Sequence, residues 1–308
     1  MRILNRTEIL AALPAVDLMA EIEAGFVAYS RGRAVVPPVG ELLLEDPPGE
    51  VHIKYGHITG DDYYVIKIAS GFAGNVELGI PTSNGLMLAF YQQTGELAAV
   101  LLDEGSLTDI RTAVAGAVAA KYLAPPEVDR IGIIGTGIQA RLQLEYLLPV
   151  TPCRRALIWG RNPARTAQLV ADVADLGCDL DVADTAQEVL EECNLVVTTT
   201  PAHSPLLRAS HDLAGKHITA VGSDTPDKQE LDAAILNAAD IVVADSISQC
   251  LVRGEIHQAL QAGAIRESDL IELGDVISGH APGRTAPDQL TIADLTGVAV
   301  QDIQITRA

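Results

Sequence analysis

Residues 131–140 read Ile-Gly-Ile-Ile-Gly-Thr-Gly-Ile-Gln-Ala. An apolar strand runs into a glycine turn and then into residues with helical spacing. In Gly135-Thr136-Gly137-Ile138-Gln139-Ala140 each small residue has a physical task. Gly135 permits the tight turn. Gly137 lets backbone N–H groups approach a pyrophosphate at the helix N-terminus. Ala140 keeps strand and helix close. In this strand–turn–helix context the pattern favours dinucleotide binding over a merely structural turn.

Downstream of this stretch, strands and helices alternate. RALIW, LVVTTT, HITAVGS and IVVAD read as strands; ARLQLEYLL and NPARTAQLVADVADLG read as helices. That alternation predicts an α/β fold, a Rossmann-type doubly wound parallel sheet. Upstream, AVDLMAEIEAGFVAYSRG has helical spacing that stops at Gly32, and VVPPVGELLLEDPPGE reads as a Pro-rich link. VHIKY, YYVIKIAS, LMLAFYQ and LAAVLLD read as strands, the last two as a hairpin turning near Thr94-Gly95. A smaller mixed α+β domain is therefore expected before the nucleotide fold. RTAVAGAVAAKYLA reads as a closely packing helix, and the C-terminal stretch from Gln289 no longer fits the alternation.

The 308 residues carry a net charge of −20, which argues against nucleic-acid and anionic-membrane partners. Four scattered cysteines without metal-ligand spacing read as reduced thiols, and no metal site is expected. With no secretory signal and no long apolar run, a cytoplasmic location is expected.

An acidic chain that binds an anion must do so with local cations. Lys67 lies on an apolar strand, on one face with Val65 and Ala69, and needs either a partner or a wet cleft. Arg111 follows a helix start at Thr108, where the helix dipole does not favour a cation. It reads either as a carboxylate ligand or as an exposed arginine at a domain joint. Asp224 lies beyond the carboxyl end of HITAVGS, where open α/β sheets bind ligands. It reads either as an acid/base or as a helix cap. After the strand RALIW, where an acid usually holds a free ribose 2′-hydroxyl, the chain offers Arg161, Asn162 and Arg165. Arg161 could pair with a 2′-phosphate, which favours NADPH over NADH; alternatively the arginines are solvated and Asn162 or backbone holds the ribose.

The segments LTDIRTAVAGAVAAKYLA, IGIIGTGIQAR, ITAVGSDTPDKQELD, RGEIHQAL and TGVAVQD, in this order, resemble the ornithine cyclodeaminase/mu-crystallin family. The resemblance implies residues 1–112 with 290–308 as a substrate-binding and dimerisation domain, and 113–289 as the dinucleotide-binding domain of a homodimer. It implies a nicotinamide cofactor and an amino- or imino-acid substrate. By position, Lys67 and Arg111 would hold the substrate carboxylate and Asp224 would be the acid/base. Thr112 and the loop Gly135, Thr136, Gly137, Ile138, Gln139 and Ala140 would hold the phosphates, and Val298 would border the nicotinamide. The Arg that family members carry in the early proline loop is missing from VVPPVG. Ornithine-acting members have an acid near Lys54, which here would repel a terminal amine.

These readings combine into an NAD(P)H-dependent imine reductase or amino-acid dehydrogenase acting on a small imino acid. His52 and Lys54 add positive charge at the side-chain end, which suits a dicarboxylate such as iminosuccinate. The alternatives are a cyclodeaminase or cyclic ketimine reductase, and a non-catalytic small-ligand-binding protein.

Overall fold

The computed structural model describes residues 1–209 and 212–308. The chain forms two compact units, residues 1–111 with 298–308 and residues 112–297. Among the described residues, no helix is long and apolar enough to cross a membrane.

The first unit is built on a seven-stranded mixed sheet. Tyr63–Gly71 pairs antiparallel with Pro48–Ile58 on one side and Ser83–Tyr91 on the other. Ser83–Tyr91 turns through Gly95, at φ +72°, into Leu97–Leu102, which pairs parallel with Arg2–Asn5. The expected Pro-rich link is instead half of a hairpin: Gly40–Glu45 pairs antiparallel with Pro48–Ile58. Pro37, Pro38 and Pro47 lie outside both strands, and Pro48 sits at the end rung of the ladder opposite Glu45, the first-residue position where a strand tolerates proline. The helix Leu18–Ser30, ended by Gly32 at φ +66°, buries Leu18, Ile22 and Phe26. It packs with the C-terminal helix Ala299–Arg307, which also lies on Pro48–Ile58 and Tyr63–Gly71.

The second unit holds an eight-stranded parallel sheet. Its order is Asp179–Val182, Arg155–Trp159, Ile131–Ile134, Leu195–Thr198, His217–Ala220, Thr291–Asp294, Ile241–Ala244 and Leu270–Glu272. The strands Ile131–Ile134, Leu195–Thr198 and Ile241–Ala244 are fully buried and, Thr198 apart, apolar on both faces, as a sheet covered by helices requires. Thr291–Asp294 corrects the expected boundary at residue 290. It is inserted between His217–Ala220 and Ile241–Ala244 in register with both, so residues 290–297 belong with the nucleotide fold.

The small-residue helix runs from Ser106 to Leu123, two residues earlier than expected. Asp103 Oδ2 accepts the amide of Leu107 at 2.8 Å, and Glu104 and Gly105 turn through positive φ ahead of it. Thr108 is therefore inside the helix, and Arg111 lies beyond its first turn.

Candidate active site

In the first unit, antiparallel register places Lys54 directly opposite Lys67. Directly opposed residues share a face, and like charges there repel unless an anion intervenes. Both lysines are buried, at 6% and 2% exposure. The anion is Asp302, from the C-terminal helix. Its Oδ1 is 3.1 Å from Lys67 Nζ and 2.9 Å from Arg111 Nε. Arg111 Nη1 also donates to Gln301 Oε1 at 2.8 Å. Arg111 is thus buried, which removes the exposed-joint reading, while the salt-bridge partner that Lys67 required is present.

Burial pulls the Lys67 ammonium down to about 7, helped by Arg111 and Lys54 and opposed by Asp302. For Asp302, burial pushes upward, but Arg111, Lys67 and Lys54 outweigh it and hold the carboxyl below its ordinary value. Val298 is buried immediately before this helix.

His52 lies two residues from Lys54, hence on the same face. Its Nε2 is 3.9 Å from Glu41 and 4.0 Å from Glu50. These acids offset the positive charge expected of it. Glu41 lies directly opposite His52 in the ladder between Gly40–Glu45 and Pro48–Ile58.

In the second unit, Gly135 stands at φ +128°, and a Cβ there would sit 2.2 Å from Thr199 Oγ1. Only glycine lets the neighbouring strand end approach so closely. Gly137 precedes the ten-residue helix Ile138–Leu147, whose N-terminus has no side-chain cap, and a Cβ at Gly137 would meet open space. A helix start without a side-chain cap, facing an open cradle, fits a pyrophosphate. Thr136 and Gln139 are partly exposed, Ile138 is exposed and Ala140 is buried. Thr112 contributes its carbonyl to Gln143 Nε2, at 3.2 Å.

After the strand Arg155–Trp159, Arg161 and Arg165 are exposed. Asn162 caps the next helix, its Oδ1 accepting the amides of Ala164 and Arg165, so that oxygen is committed away from a ribose. Asp224 is half-buried. Lys228 Nζ donates to its Oδ1 at 2.7 Å, and its carbonyl accepts from Arg253 at 3.2 Å. The strand Gln229–Leu231 follows, so Asp224 does not cap a helix.

Sequence reading missed Asp302 and Gln301. The signal was indirect: a lysine on an apolar strand demands a counter-ion, and TGVAVQD carries an acid in a helix whose residues 299–305 are all buried. It also missed Glu230 and Glu255, which lie within the noted segments GSDTPDKQELD and RGEIHQAL.

The model of the ornithine cyclodeaminase/mu-crystallin family matches residues 1–308. An uncharacterised cyclodeaminase of Sinorhizobium fredii is 43% identical over 99% of this chain and 93% of its own length. An archaeal alanine dehydrogenase, solved as a dimer with bound NAD, has a TM-score of 0.91 and 33% identity, covering 100% of this chain and 94% of that one. The iminosuccinate reductase of Paracoccus denitrificans, solved with NAD+, has a TM-score of 0.90 and 31% identity, covering 100% and 94%. With its glycine loop, its parallel sheet and a family match along its whole length, this chain belongs to the ornithine cyclodeaminase/mu-crystallin family.

Proposed function

We propose that this chain reduces a small imino acid to the amino acid, and runs in reverse as an amino-acid dehydrogenase. It is a nicotinamide-dependent oxidoreductase of C–N bonds. The observation that carries the finer reading is the convergence of buried Lys67 and Arg111 on one oxygen of Asp302. Burying two cations is expensive, and a site that must capture a carboxylate gives the cost a purpose. Asp302 fixes both cations in advance, so the substrate need not order them on binding.

The nicotinamide, when bound, supplies or takes the hydride. Lys67 and Arg111 hold the substrate α-carboxylate and so orient the carbon bearing nitrogen. Asp224, steadied by Lys228, gives or takes the proton at that nitrogen. Gly135 through Ala140 hold the pyrophosphate. Arg161 gives a modest preference for NADPH, although the two solved neighbours carry NAD. A homodimer is proposed as the working assembly; exposed Leu42, Leu43, Leu78 and Ile80 on the first unit provide apolar surface for it.

Lys54, opposite Lys67, places a further cation beside the carboxylate site and favours a four-carbon imino dicarboxylate of the iminosuccinate type. The test is a panel of 2-oxo acids with ammonia or methylamine, followed by loss of reduced nicotinamide absorbance, on wild type and Lys54→Ala. The substitution should cost the dicarboxylate about tenfold in kcat/KM and the pyruvate-derived imine less than threefold, since only the dicarboxylate has a second charge to lose. Equal losses would remove Lys54 as the selector. Release of ammonia from a diamino acid without net consumption of nicotinamide would instead assign a cyclodeaminase.

A further inference from the structure

Beyond the sheet ends, one buried side chain gathers the loops around the glycine cradle. Glu230, on the strand Gln229–Leu231, has no solvent exposure. Its Oε1 accepts the Thr200 amide at 2.6 Å and the Thr200 hydroxyl at 2.8 Å. Its Oε2 accepts the Thr198 hydroxyl at 2.8 Å and the Gly222 amide at 2.9 Å. Thr198 ends one parallel strand, and Gly222 lies just beyond the next. One carboxylate therefore ties together two neighbouring strand ends. Four donors on two oxygens fill the acceptor capacity of an ionised carboxylate.

The loop held on one side is the one that contacts the cradle. Thr199, between the two tethered threonines, donates its hydroxyl to Ile134 O at 3.0 Å and occupies the space that a Gly135 side chain would need. The loop held on the other side leads from Gly222 to Asp224. A Cβ at Gly222 would lie 2.2 Å from Thr200 O, so the two loops touch backbone to backbone. Glu230 is itself held from behind. Glu255, in the segment RGEIHQAL, accepts the amides of Glu230 and Leu231 at 2.7 and 3.0 Å. Asp294 accepts the amide of Ile256 at 2.8 Å.

We infer that Glu230 is a positioning residue for the cofactor: it clamps the 198–200 and 222–224 loops in the arrangement that shapes the glycine cradle, with Glu255 as its support. It touches backbone and hydroxyl donors, not the reacting atoms. The role rests on reading Gly135–Ala140 as the dinucleotide loop. It also gives two of the segments noted in the sequence a physical task. In Glu230→Gln, an amide N–H2 replaces one oxygen and must face donors, so one loop is released at nearly unchanged side-chain volume.

The experiment titrates NADH by nicotinamide fluorescence and records Tm on wild type, Glu230→Gln, Glu255→Gln, Thr200→Val and Val189→Ala. Val189 is buried in the core of the same unit and serves as a stability control. Glu230→Gln should weaken NADH at least about tenfold. Glu255→Gln and Thr200→Val should weaken it less, in the same direction. Val189→Ala should lower Tm with NADH affinity within twofold of wild type. Wild-type affinity in Glu230→Gln overturns the clamp, as does an equal loss of affinity in Val189→Ala. Should Glu230→Gln not fold, Thr200→Val decides, because it removes one donor and leaves the carboxylate in place. A wild type that binds neither NADH nor NADPH overturns the dinucleotide reading itself, and the clamp with it.

Discussion

A guanidinium in water and a guanidinium under a helix do different work. Arg111, buried with its Nε on Asp302 and its Nη1 on Gln301, is fixed before any ligand arrives. Arg161 is exposed beyond the strand Arg155–Trp159 and remains hydrated until a phosphate reaches it. A contact of the second kind is worth about 1 kcal/mol, a roughly fivefold preference. Arg161→Ala should therefore lower the NADPH/NADH ratio of kcat/KM about fivefold while leaving the NADH value nearly unchanged. Measuring both cofactors on both proteins checks it; an unmoved ratio would pass the role to Arg165 or to backbone. The two arginines also show what a single sequence reveals about a site. Lys67 was legible because it stood where a cation is costly; Arg111 drew notice through a helix start that lies earlier than expected, and its cost comes from burial instead. Asp302 was not legible, because its partners lie far away in sequence: Gln301, beside it, is 190 residues from Arg111. No local pattern reports a contact of that range.

At the scale of elements, the parallel sheet was legible from its alternation and the glycine turn, whereas the hairpin Gly40–Ile58 was not. Leu42, Leu43 and Leu44 are all exposed, so no period-2 burial pattern marks the strand; what makes it a strand is its ladder to the neighbour. The start of the helix Ser106–Leu123 was misplaced for a related reason. The group serving its first turn is Asp103, at the end of a strand, and the intervening Glu104 and Gly105 turn through positive φ. Asp103→Ala should remove that acceptor and cost about 1 kcal/mol of unfolding free energy. Asp103→Asn keeps an acceptor oxygen and should cost less. Urea unfolding of the three proteins tests the order; an Asn variant as unstable as the Ala variant would show that the charge matters, not the acceptor. Burial pushes the Asp103 carboxyl above its ordinary value against the pull of its backbone donors, so the side chain is kept at an electrostatic cost.

The whole molecule carries a net charge of −20, and both units bury charged groups of both signs, but burial shifts different ones strongly in each. In the first unit, burial and neighbouring cations bring Lys67 down to about 7. In the second, burial pushes Glu230 up to about 7 against its Thr198, Thr200 and Gly222 donors, and Glu255 up to about 8. His217, buried near Arg284, is pulled down to about 3. The signs follow from which state holds more protons. Unfolded Lys67 stays protonated to about pH 10.5. From pH 7 upward the unfolded first unit therefore binds the extra proton, and its stability rises with pH. Folded Glu255 keeps its proton to about pH 8, whereas unfolded it releases it near 4.5, so the second unit loses stability as pH rises through that window. Glu230 adds to this loss up to about pH 7. His217 works in the opposite direction only below its ordinary value of 6.5 and is silent above it. Between pH 7 and 8 the two units should therefore move apart, each by about 1.4 kcal/mol per titrating group per pH unit. Hydrogen-exchange free energies, corrected for intrinsic rates, can be read separately on Tyr63–Gly71 and on Ile131–Ile134. The first should gain protection from pH 7 to 8 and the second should lose it. Lys67→Met should abolish the gain in the first unit and leave the loss in the second, because the groups responsible belong to different units. A common slope in both segments would mean that the chain opens as one body and that its buried charges offset one another.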